Sequence, residues 1–101
     1  MLHLVLKYHW YDLISNGVKK EEYREIKPFY EKRIYARFFA LASCPRCIVV
    51  RPFKVCLHRG YTNQYMVFQV ERLRIGRGRI EWGAPPDKDV FIFELGERLP
   101  F

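Results

Sequence analysis

A short helix that must stop at one glycine and pass almost at once into a strand is the tightest constraint in this chain. Trp10, Leu13 and Ile14 stand at i, i+3 and i+4, the apolar stripe of a short amphipathic helix. Gly17 follows, and glycine takes the left-handed conformation at a helix C-terminus without a side-chain clash. From Glu21 to Ile26 the chain reads as extended. Residues two apart on a strand face one way, so Glu22 and Arg24 share a face. Lys19 lies in the bend and turns toward the same side. An ammonium, a carboxylate and a guanidinium then converge where helix meets strand, a set suited to gripping a polar, planar ligand.

The flanking segments read as a β-rich domain. Leu2, Leu4 and Leu6 alternate with His3, Val5 and Lys7, the pattern of a strand buried on one side. Lys7 ends that strand and either reaches the same cleft as Lys19 or stays an ordinary exposed lysine. Trp10 suits a base stack or core packing, and its stripe favours the core. Pro28 suits the first turn of a helix running to about Ala42, with Tyr30, Ile34, Phe38 and Leu41 on one side and Arg33 and Arg37 along another. Cys47 to Arg59 reads as strand interrupted by Pro52. Arg59-Gly60-Tyr61 ends it with a cation, a turn and an aromatic, suited either to a base contact or to a structural lid.

Tyr65 to Ile75 is the longest strand. Alternation puts Met66, Phe68 and Val70 on one face and Val67, Leu73 and Ile75 on the other, as in a barrel packed inside and covered outside. Glu71 interrupts it, either as a second cleft carboxylate facing Lys19 or as half of an ion pair, the reading we favour. Gly76-Arg77-Gly78 predicts a hairpin turn with positive φ, and Ile80-Glu81-Trp82 a return strand. Arg72, Arg74, Arg77 and Arg79 make the densest positive patch, serving either phosphate contact or protection of an edge strand. Val90 to Leu95 is a closing strand ended by Gly96.

A chain of 101 residues holds one domain, and 50% hydrophobic content argues against disorder. Lys and Arg outnumber Asp and Glu by 18 to 11, so a net charge of +7 favours polyanion partners. Three cysteines cannot complete a disulfide framework. The apolar start is too short for a membrane span and lacks a signal-peptide layout, so a reducing cytoplasm is the expected compartment and no membrane partner is expected. Cys44, Cys47, Cys56 and His58 make a four-ligand metal set arithmetically available. The short spacing to Cys56 and the strand around it favour idle thiols, so neither metal nor cofactor is assigned.

Gly17, Lys19, Glu22 and Arg24 reproduce a Gly-x-Lys-x-x-Glu-x-Arg pattern, four fixed positions in eight residues. In this, and in Lys7, Trp10, Tyr30, Arg33, Arg59-Gly60-Tyr61, Trp82-Gly83-Ala84 and Leu95-Gly96, the chain resembles the ASCH domains, β-barrels related to the PUA RNA-binding fold. The resemblance implies an α+β, mainly β barrel of about six strands with two or so helices over residues 1–101. It also implies binding of RNA or a modified nucleotide. Lys7, Lys19, Glu22, Arg24, Arg33, Arg59, Gly60 and Tyr61 are the candidate contacts. Replacing Lys19 and Arg24 together is expected to abolish binding and leave the thermal melt nearly unchanged.

A bacterial branch of that family hydrolyses the amide of N4-acetylcytidine, with a threonine matching Glu22, a lysine matching Lys19 and a distant glutamate. Here Glu22 replaces the hydroxyl and keeps Lys19 charged, so hydrolysis would need a water activated by Glu22 or Glu71. A protein-interaction or regulatory module is the third reading, supported by small size and aromatic content.

Overall fold

The leucine alternation becomes strand β1 (Leu2–Leu6), whose three leucines are buried while His3 and Val5 face outward. The computed structural model describes residues 1–28 and 53–100. The body of the helix expected over 28–42, with Arg33 and Arg37, lies outside them, as do Cys44, Cys47 and Pro52.

Helix α1 (Tyr8–Ser15) carries Tyr11 and Ile14 into the core. It closes with paired bonds, Gly17 N–H to Ile14 O and Val18 N–H to Leu13 O, both 3.0 Å. That crossed pair is a Schellman motif, and it needs the left-handed backbone that Gly17 supplies at φ 79°. Strand β2 (Glu21–Arg24) follows and stops short of the expected Ile26. Strands β3 (Phe53–Arg59), β4 (Tyr65–Gly76) and β5 (Val90–Leu99) complete the set.

Among the described residues the result is a mixed α+β domain with one α-helix and a five-stranded, curled half-barrel sheet in the order β1-β3-β4-β5-β2. β1 pairs with β3 in parallel; the other three pairings are antiparallel. The core fills the concave side. Phe91, Phe93, Val55, Leu57 and Val70 are essentially inaccessible, each contributing about 1.5–3 kcal/mol by burial.

Three expectations change. Ile80–Trp82 is a 3₁₀ turn rather than a return strand, and β4 pairs instead with β5. Gly76 and Gly78 take no positive φ. β5 does not end at Gly96 but runs on to Leu99. The reason lies in the β4–β5 register, which shifts between Phe68 and Val70 and again between Val70 and Arg72. The two-residue step from Val70 to Arg72 faces a single-residue step from Leu95 to Glu94, so Glu71 is the extra residue of a bulge. The bulge moves Leu73 into the same core as Met66, Phe68 and Val70, against the simple alternation.

Candidate functional site

Among the described residues β1 and β2 are the edge strands of the sheet, and a side chain of one reaches the other. The Arg24 guanidinium on β2 ties that seam by donating through Nη2 to the Val5 carbonyl on β1 at 2.9 Å. A cleft of about 230 Å³ lies along it. Val5, Leu6 and Lys7 line one side, and Lys19, Glu22, Tyr23 and Arg24 the other; Trp10 of α1 and Trp82-Gly83 of the 3₁₀ turn complete it.

The four residues of the sequence motif divide as their spacing requires. Gly17 turns the chain, and Lys19, Glu22 and Arg24 reach one cleft. Strand periodicity puts Glu22 and Arg24 side by side, and Arg24 Nη2 donates to Glu22 Oε2 at 2.7 Å. Lys19 Nζ donates to Glu22 Oε1 at 3.0 Å and to the Trp82 carbonyl at 2.7 Å. Among the described residues its third N–H meets no hydrogen-bond acceptor. The ammonium lies instead 4.8 Å from the Trp10 ring centre and 5.4 Å from that of Tyr23, within cation–π range.

Lys19 and Glu22 are 3% and 5% exposed, so this is a charge triad held in a poorly solvated wall. Within it two cations share one carboxylate. Burial pulls the Lys19 pKa below the ordinary lysine value. The Glu22 carboxylate opposes that fall by charge and hydrogen bond, and the nearby Arg24 charge adds to it. Burial also holds the Tyr23 phenol well above its ordinary range. Still protonated, it donates to Glu21 Oε1 at 2.7 Å and accepts the Arg79 backbone N–H at 3.0 Å, which fixes the ring beside the cleft.

Lys7 stands exposed at the rim. Arg59 and Gly60 do not line this cleft. Arg59 makes a two-pronged ion pair with Asp12 of α1, at 3.0 and 3.1 Å, and stacks 4.2 Å from the Tyr8 ring. Gly60, at φ 55°, passes so close to Tyr8 that an added Cβ would sit 2.5 Å from the ring. These two residues hold α1 against β3. Tyr61 is 97% exposed in the β3–β4 turn and lines neither the cleft nor the core. Glu71 is not a cleft carboxylate, because the bulge lays its side chain over Gly96. The arginine patch is largely neutralised: Arg72 and Arg74 bind Glu94, Arg74 also reaches Glu21, and Arg77 binds Asp89.

Trp10 packs against the core, as its stripe leads one to expect, and also lines the cleft. The sequence reading gives Tyr23 and Trp82 no site role, though both line the cleft. The adjacent signal was present, since Tyr23 stands between Glu22 and Arg24 and Trp82 precedes a glycine. What brings Trp82 to Lys19 is a contact across 63 positions, which no local pattern encodes. No protein-family model, curated protein or solved structure matches the chain.

Proposed function

We propose that the seam cleft receives a single nucleobase, from RNA or a modified nucleotide, in a half-barrel of the PUA-like ASCH type. The observation that carries the reading is the convergence of Lys19, Glu22 and Arg24 with the rings of Trp10, Tyr23 and Trp82 on one hollow. Its volume falls below the ~300–1,000 Å³ of sites that take drug-sized ligands, which suits one ring system with the sugar and phosphate outside. The cations of the triad favour an electron-rich carbonyl oxygen, the aromatic lining favours a planar face, and Lys7, exposed at the rim, suits a phosphate contact. The parallel β1–β3 pair, the helix between β1 and β2, and the motif at the helix–strand junction support the ASCH reading.

Titration with nucleosides and short single-stranded RNA, followed through the indole N–H resonances of Trp10 and Trp82, tests this. Both signals are expected to shift, RNA binding weakening steeply with salt and on Lys7→Glu. Saturable RNA binding that leaves both indoles unmoved would remove the cleft assignment. The buried Lys19 ammonium against the Glu22 carboxylate, its pKa lowered by burial, is the feature that favours the hydrolytic reading, and N4-acylated cytidine is its substrate class. Release of cytidine that is lost in Glu22→Gln would establish that chemistry. Absence of release would retire it and leave binding.

A further inference from the structure

On the outer face of the sheet, two residues along β1 from Val5 of the cleft wall, lies a second cluster that the proposed base site does not use. Parallel pairing of β1 with β3 sets His3 beside Cys56, while Val5 is the register partner of His58. Alternation turns His3 away from the leucine face of β1, and Cys56 and His58, two apart on β3, away from the core side that Val55 and Leu57 occupy. His3 Nδ1 and His58 Nε2 are already 2.9 Å apart, and the donor atoms of all three side chains lie within 4.8 Å of one another.

We propose that His3, Cys56 and His58 form a binding site for a late first-row divalent transition ion, zinc foremost. A tetrahedral zinc site with metal–nitrogen bonds of ~2.0–2.1 Å separates two nitrogens by roughly 3.3 Å. The two imidazoles therefore need to open by only a few tenths of an ångström from their present contact. Two imidazoles and one thiolate are a donor set of borderline softness, matched to zinc and its neighbours rather than to calcium or magnesium. The donors come from two hydrogen-bonded strands, so the backbone fixes their spacing before any ion arrives. Binding releases one proton from the Cys56 thiol to solvent, and both histidines coordinate as neutral rings, His3 through Nδ1 and His58 through Nε2. Cys56 is buried and His3 is exposed, which leaves the fourth tetrahedral position on the solvent side for water or another donor.

The test uses cobalt(II) and zinc chloride on the full chain with Cys44→Ser and Cys47→Ser in place, so that only one thiol remains. Cobalt is expected to give a near-ultraviolet thiolate-to-metal absorption band that zinc bleaches. Cys56→Ser should remove the band, and His3→Ala or His58→Ala should each weaken affinity by more than about tenfold. Zinc should raise the melting temperature of the parent but not of His3→Ala, whose side chain is exposed and whose metal-free melt checks the fold. No band in this background, or a band that survives Cys56→Ser, would overturn the proposal. So would equal affinity in His3→Ala, whatever the behaviour of Cys56→Ser.

Discussion

Lys19 is the side chain on which the site and the stability of its surroundings both depend. Its ammonium is nearly inaccessible and is held by Glu22, the Trp82 carbonyl and two aromatic rings. Removing one partner of a buried ion pair typically costs about 3–5 kcal/mol, because the remaining charge keeps its desolvation penalty. Lys19→Ala should fall toward the lower end of that range in urea unfolding, since Arg24 still engages Glu22. The burial thus reverses the expectation that replacing Lys19 and Arg24 together leaves the melt unchanged: Glu22 would lose both partners at once. Gly60 carries a second test at this scale. Gly60→Ala imposes a positive φ on a residue with a side chain and drives a methyl into Tyr8, for an expected loss of roughly 1–3 kcal/mol. Tyr8→Ala in the same chain should recover the steric part, and full additivity of the two losses would refute the contact.

At the level of elements, the β4–β5 pairing governs both shape and acid sensitivity. The register shift between Val70 and Arg72 carries Leu73 into the core and removes Glu71 from any role in the cleft. Beside them Arg72 and Arg74 both bind Glu94, at 2.7 Å in each ion pair. Burial alone would raise the Glu94 carboxyl, but the hydrogen bonds and charges of the two arginines outweigh it, and the net pKa lies below the ordinary glutamate value. A folded-state pKa below the unfolded one gives stability that is complete above the unfolded value and lost as pH falls through the folded one. Glu94→Gln should therefore flatten the decline in melting temperature below about pH 4.5, at equal salt, while lowering stability at neutral pH. An unchanged acid limb would show that the pair contributes nothing measurable, as many exposed ion pairs do.

For the molecule as a whole, the sheet of the described residues ends at β1 and β2, and the Arg24 bond to the Val5 carbonyl links those two edges. Arg24→Gln should speed amide hydrogen exchange in β1 and β2 by about tenfold or more and leave central β4 nearly unaffected. Uniform acceleration across all strands would mean that Arg24 stabilises the domain globally rather than closing the seam. Local patterning was enough to locate β1, α1, the start of β2 and nearly all of β4, because apolar period and a helix-ending glycine are properties of neighbours in the chain. The same period placed Glu22 and Arg24 side by side and Lys19 within reach of them. It had no means of showing that Trp82 would meet Lys19, that Arg59 would be spent on Asp12, or that a bulge at Glu71 would shift Leu73 across the sheet. Nor did it bring His3 beside Cys56 and His58, which stand more than 50 positions away along the chain. Those outcomes depend on which strands pair, in what register and with what curl. They are fixed by packing between segments distant in the chain, a collective energy that short-range alternation of residue types does not contain.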